Sequence, residues 1–461
     1  MSRPTDLAPP PPPAWERRAI LVLLGLFLVL GTNHIIHGAY QGQDYSMHVG
    51  SVSRLLAHPH EWFTQDFTNR PLIYWIALDV MALTGDWATQ ELTAALFVLF
   101  NAAALALFYD CSRRCIASPA LRVAALALLA TLPVTQITAV VFAADAMAPP
   151  FFALLCWSLL RWTEVSVPRA IFGYAALVGA ALALGNFAKF TFIGLPVVVL
   201  FLALVLRRWQ RVSARHLLAL LILGITAPFA VGGWLHHRAT NQFKNTADWH
   251  AFDWRGTGEM TWRSLLGWRT TDTRIFAAPI YWERVELAGR VVMPMLEANA
   301  YSYPALLHLA TFTDVLNFGP GGVHRSHLPR PAPQQAAACW SVRTGLCFTL
   351  AAAAAFVVFW WRFIRAALFP HRAPAPSTAW VLWSVPALAW QLAIMVPLPF
   401  VHHAYDWGYW LPRLVLPSLW CFGWGLFVLL DEILRPHRQL AFAGCALTLL
   451  QAALHLRSTW F

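Results

Sequence analysis

Charge is scarce in this sequence. Asp, Glu, Lys and Arg make up 12% of its 461 residues, against about 25% in an ordinary soluble domain. A chain with so few charges cannot clothe a soluble globule of this size in polar surface. A cytosolic enzyme, a secreted disulfide scaffold, a fibrous protein and a disordered chain are excluded as readings of the whole. Lysine is nearly missing, with only Lys189 and Lys244. A Gly-x-x-x-x-Gly-Lys loop is missing too, and with it the usual cradle for ATP-driven chemistry. The seven cysteines form no paired framework. Cys339 and Cys347 would stand ~12 Å apart along a helix, beyond disulfide reach. Cys111 and Cys115 alone fall short of a four-ligand zinc site. All seven read as packing residues.

What the chain has is apolar length: 58% of residues are hydrophobic and mean hydropathy is +0.53. The pattern predicts an all-α, polytopic helical membrane protein of about 11 transmembrane helices. They are expected at 19–36, 88–109, 121–142, 147–163, 170–187, 190–206, 216–235, 344–366, 379–397, 411–430 and 439–456. Residues 1–18 hold the proline run Pro9–Pro13 and read as a disordered cytoplasmic N-terminus. No small-residue cleavage site follows the first apolar run, which reads as a retained helix.

Cation counts set the orientation. With the N-terminus inside, 17 Lys and Arg fall in inside segments and 5 in short outside segments. The other 11 lie in one long outside loop, 236–343, where the positive-inside rule hardly applies. The net charge of +11 is therefore topology charge, and no nucleic-acid partner is expected. These counts divide the chain into a membrane core at 19–235 containing a first outer loop at 37–87, the long extracytoplasmic loop, and C-terminal helices at 344–461. Pro71–Thr84 is too short for a ~30 Å hydrocarbon core and contains Asp79, so a helix lying at the outer interface is expected there. Asp44–Pro59 reads as a second amphipathic helix, with Tyr45, Val49, Val52, Leu55 and Leu56 at helical spacing. Asp44 and His48, four apart, share a face.

Few polar residues remain at the outer boundary, and each has two readings. Asp44 is either a helix N-cap or a general base. Asp145, the only charge between Arg122 and Arg161, is either the cap of the helix that follows or a working carboxylate, as acids at membrane depth often are. Arg70, Lys189 and Arg413 either snorkel to headgroups or hold a phosphate through charge-assisted bonds. His402 and His403 are adjacent and do not share a helix face, which argues against a metal site there. Two acids for proton chemistry and three cations for a phosphate leaving group suit transfer from a phosphorylated lipid.

The order of these segments carries a resemblance. An acid follows the first helix. Then come Arg70-Pro71-Leu72-Ile73-Tyr74-Trp75, the segment Ala144-Asp145-Ala146 before Phe151-Phe152-Ala153-Leu154, the Ala188-Lys189 turn, and Arg413 with Pro417 at a later helix. This is similar to the GT-C membrane glycosyltransferases, in the branch of lipid A aminoarabinose transferases and protein O-mannosyltransferases. The resemblance covers residues 19–206 well and the remainder in outline. It implies a GT-C-like fold and an inverting transfer of a sugar from a polyprenyl-phosphate donor to an acceptor hydroxyl on the extracytoplasmic face. It implies Asp44 and Asp145 as catalytic residues and Arg70, Lys189 and Arg413 as donor-phosphate ligands. His48 and Tyr74 are supporting candidates. The acceptor is a lipid, glycan or protein, and the location a bacterial inner membrane. No cofactor is required by the pattern, and a divalent cation is left open because Asp44 has no second acid beside it. The competing readings are a transporter or flippase for a lipid-linked sugar, which would favour inverted repeats, and a structural membrane subunit.

Overall fold

The computed structural model describes residues 11–40, 45–57, 72–85, 89–232, 302–313, 332–369, 375–396, 415–435 and 437–460, with a few more between 267 and 292. The fold is all-α and polytopic. Its helices are α1 (Ala14–Ile36), α2 (Tyr45–Ala57), α3 (Leu72–Thr84), α4 (Thr89–Ser112), α5 (Pro119–Thr131), α6 (Pro133–Val140), α7 (Ala148–Glu164), α8 (Pro168–Ala188) and α9 (Leu195–Arg208). There follow α10 (Ala214–Gly232), α11 (Tyr303–Phe312), α12 (Ala332–Leu368), α13 (Thr378–Met395), α14 (Leu416–Leu434) and α15 (Arg438–Thr459). The described strands form one small antiparallel hairpin, Val285–Leu287 with Arg290–Val292.

Among the described residues nine helices are long and apolar enough to cross a membrane, or ten if α5 and α6 form one span. The sequence pattern predicts about eleven. Three differences have local causes. The run expected as one span at 121–142 is bent by 56° between α5 and α6. Pro133 supplies no N–H, and Leu132 before it adopts φ −52°, ψ 128°, the extended geometry a following proline imposes. The expected span at 147–163 is the 17-residue α7, at the short limit for crossing. The expected span at 344–366 is α12, 37 residues and ~55 Å long. Its first turns extend into what the pattern assigns to the long loop. They dock there, with Ser341 Oγ donating to the Phe312 carbonyl (2.7 Å) and Gln334 Nε2 to the Trp460 carbonyl (2.7 Å).

The core is rich in aromatic side chains. Phe108 of α4 meets Trp383 of α13 edge-on at 4.2 Å between centroids, and also meets Trp420 and Trp424 of α14. Such pairs add ~0.5–1.5 kcal/mol each beyond their buried area.

The two ends of the bundle differ. One end is ionic. The Arg122 guanidinium donates to both carboxylate oxygens of Glu16, at 2.6 and 2.7 Å, and Tyr109 donates to the same carboxylate at 2.9 Å. Asp431 accepts the N–H groups of Ala117 and Ser118, each at 2.9 Å, satisfying backbone donors at the start of α5. Arg114 joins Asp110 and Glu164. These groups sit where α1, α5 and the α4–α5 turn begin and where α4, α7 and α14 end. The opposite end carries α2, α3 and the turns before α7 and α9.

Candidate active site

At that opposite end, a short 3-10 turn, Ala144–Met147, joins α6 to α7. It is pinned from two sides. Phe142 donates its N–H to the Tyr40 carbonyl (3.1 Å), and the buried Asn101 of α4 donates to the Ala146 carbonyl (2.8 Å). Pro149 and Pro150 then start α7 where a missing N–H costs nothing. Asp145 lies on this turn and is 6% exposed. It does not cap α7, because Met147 holds the cap position without a side-chain bond.

Lys189 reaches the same place from α8. That helix ends at Ala188, and Lys189 is extended (φ −150°, ψ 136°) with its N–H on the Gly185 carbonyl at 2.7 Å. Gly185 is required there: a Cβ on it would come within 2.3 Å of the Phe192 ring, which folds back from the next 3-10 turn, Phe190–Gly194. The Lys189 ammonium, 44 residues along the chain from Asp145, donates to Oδ1 of that carboxylate. Lys189 is 9% exposed, so it is paired inside the protein and does not snorkel. Each ion is costly to desolvate, and each offsets much of the other's cost.

The two short helices cover this turn; α2 forms where its apolar spacing predicts, and α3 fills the short apolar run at Pro71–Thr84. Val52 and Leu55 of α2 and Ile73, Tyr74 and Ala77 of α3 pack with Phe97, Phe142, Ala146, Met147 and Ala188. Three of these residues flank the ion pair directly: Ala146 and Met147 follow Asp145, and Ala188 precedes Lys189. Within the cluster, His48 Nδ1 and the Tyr74 hydroxyl share a hydrogen bond at 2.9 Å. In the sequence Asp44 immediately precedes α2 and Arg70 stands two residues before α3. Asp44, Arg70 and Arg413 themselves lie outside the described residues. The structure thus brings Asp145, Lys189, His48 and Tyr74 to one end of the bundle.

An open apolar groove starts at the Phe190–Gly194 turn that follows Lys189. About 390 Å³ in volume, it is lined by Thr191, Gly194, Leu195 and Val198 on one side and Ala389, Leu392, Ala393 and Val396 of α13 on the other. Among the described residues no group of three or more His, Cys, Asp and Glu is placed to hold a metal ion. The pairing of Asp145 with Lys189 and the anchor at Asn101 are not predicted from the sequence. An Asn inside an apolar helix is the one signal that points to the second.

Residues 66–231 match the family model described as dolichyl-phosphate-mannose-protein mannosyltransferase. No curated protein sequence matches the chain. Among solved structures the chain is similar to ArnT from Cupriavidus metallidurans bound to undecaprenyl phosphate, with 16% identity and a TM-score of 0.42. It is also similar to the apo form of that protein, with 14% identity and a TM-score of 0.38. In both cases 92% of this chain and 79% of the other are covered. The family match spans Arg70, Asp145 and Lys189, and the chain resembles the GT-C type glycosyltransferases as the order of its sequence segments implies.

Proposed function

We propose that this protein is an inverting glycosyltransferase that moves a sugar from a polyprenyl-phosphate donor to an acceptor hydroxyl. The observation that carries this reading is the buried Asp145–Lys189 pair. It sits at one end of a membrane bundle, under two short helices, and Lys189 leads directly into the turn that lines an apolar groove. A lipid phosphate needs these elements together: a cation for its head, an apolar path for its chain and a carboxylate near the reacting carbon. The family model supports the donor class, since its description names a polyprenyl-phosphate sugar.

In this reading the isoprenoid chain lies along the groove and Arg70, Lys189 and Arg413 hold the phosphate. Asp44 takes the proton of the acceptor hydroxyl. The hydroxyl oxygen bonds to the anomeric carbon as the bond from that carbon to the phosphate oxygen breaks. Polyprenyl phosphate leaves with the electron pair, and the single displacement inverts the anomeric centre. Asp145 orients the sugar and balances Lys189. If a divalent cation takes part, Asp145 is the carboxylate proposed to hold it.

Arg70→Ala should weaken donor binding about 10- to 150-fold, the loss of one charge-assisted contact. Titration with undecaprenyl phosphate measures this, and unchanged affinity would leave Arg70 a lipid anchor only.

The reaction is assigned to the extracytoplasmic face of a bacterial inner membrane, with the N-terminus cytoplasmic. The Arg distribution motivates this, and residues 236–343 are then extracytoplasmic. A cysteine placed at Ser264 should react with an impermeant reagent in intact cells, and one at Ser213 should not. The reverse labelling would overturn the topology and the sidedness of the site with it.

A further inference from the structure

An apolar contact would join α2 to α3 at lower desolvation cost than a polar one. Here the joint is polar. His48 and Tyr74 are 1% and 0% exposed and share their hydrogen bond inside an otherwise apolar cluster. A hydrogen bond fixes direction as well as distance, so it sets how one helix is turned and shifted against the other. The His48 ring is oriented in turn. It meets Phe142 edge-on, with centroids 6.0 Å apart and planes at 86°, and Phe142 stacks on Phe97 of α4. Phe142 stands three residues before Asp145. The joint therefore links three pieces of chain: the one that carries Asp145, the helix that follows Asp44 and the helix that follows Arg70.

We propose that His48 and Tyr74 are a positioning pair. Their hydrogen bond fixes α2 against α3 and both against the Asp145 turn, so that the acid before α2 and the arginine before α3 are set relative to Asp145 and Lys189. The inference rests on the roles given above to Asp44 and Arg70. A displacement of ~1 Å in such an arrangement can cost about 10²-fold in rate, so one buried hydroxyl in the joint has leverage on turnover.

The test uses the full-length protein and variants of the two residues of the joint. Tyr74→Phe keeps the ring and removes the hydroxyl. It should lower turnover per folded protein about 10- to 100-fold. His48→Ala removes the same bond together with the ring that meets Phe142, and should lower turnover at least as much. His48→Asn offers a short planar side chain with a donor and an acceptor and should return turnover to within a few-fold of wild type.

A second readout needs no substrate. In a background without the seven native cysteines, spin labels at Ser53→Cys on α2 and Ala82→Cys on α3 should give a narrow distance distribution in the parent and with His48→Asn. Tyr74→Phe should broaden it. Undiminished turnover in Tyr74→Phe overturns the proposal, whether or not its melting temperature falls. So does an unbroadened distance, which decides the matter if no donor turns over. Broadening and lost turnover in Tyr74→Phe, in a chain whose Arg70→Ala and Asp44→Asn variants behave as wild type, would uphold the joint and sink the roles of those two residues.

Discussion

Asp44→Asn is expected to lower turnover by about 10²- to 10⁴-fold, the usual cost of removing a general base. The change keeps size and shape and removes the ability to take a proton. Asp44 stands immediately before α2, and a neutral amide serves a helix N-terminus as well as a carboxylate does. The fold should therefore survive, and undecaprenyl phosphate should bind nearly as tightly as to wild type. Loss of rate with retained affinity separates a base from a binding group. If Asp44→Asn turns over at the wild-type rate, Asp44 has no part in the chemistry, and Asp145 becomes the candidate base.

Lys189→Met should cost about 3–5 kcal/mol of stability, because it leaves a buried carboxylate without its ammonium. Lys189 and Asp145 are 9% and 6% exposed, so water can do little to compensate. Adding Asp145→Asn removes the stranded charge, and the double variant should regain most of the loss. Thermal unfolding of the two single variants and the double one measures this coupling. Donor affinity should follow a different pattern. Lys189→Met should bind undecaprenyl phosphate weakly, and the double variant should stay weak although its stability returns. Recovery of both would make the pair a structural brace. Asp145→Asn alone should turn over slowly if Asp145 orients the sugar. A complete loss that responds to Mg²⁺, Mn²⁺ or a chelator would instead indicate a required cation.

Hydrophobic periodicity carries most of the architecture. In the first outer loop α2 is legible because Val52 and Leu55 recur at helical spacing and are buried, although Leu56 in the same pattern is exposed, and α3 is legible as an apolar run too short to span. The helix count is less legible. Apolar character runs unbroken through Leu132-Pro133, so hydropathy reads one span where a proline turns the chain by 56°. The first turns of α12 are hidden for another reason. Gln334, Gln335 and Arg343 dilute the apolar signal, and tertiary contacts to α11 and α15 hold that stretch helical.

The candidate site shows the same division. Asp145 and Lys189 are conspicuous in the sequence because charge is so rare, and each alone has a plain alternative. The cap reading of Asp145 fails because Met147 occupies the cap position. The snorkelling reading of Lys189 fails because its ammonium is buried against a carboxylate. Neither outcome is visible in local sequence, since the pairing depends on how α7 and α8 pack. The hydrogen bond between His48 and Tyr74 is hidden in the same way, across 26 residues.

The proposed reaction breaks the bond between a sugar and a polyprenyl phosphate. Purified protein incubated with a panel of polyprenyl-phosphate sugars, plus an envelope extract to supply acceptor hydroxyls, tests it directly. Release of polyprenyl phosphate from at least one donor is expected, together with transfer of its sugar to a component of the extract and loss of both in Asp44→Asn. A protein that binds these donors, or carries them across a vesicle membrane, yet releases polyprenyl phosphate from none of them would contradict the account.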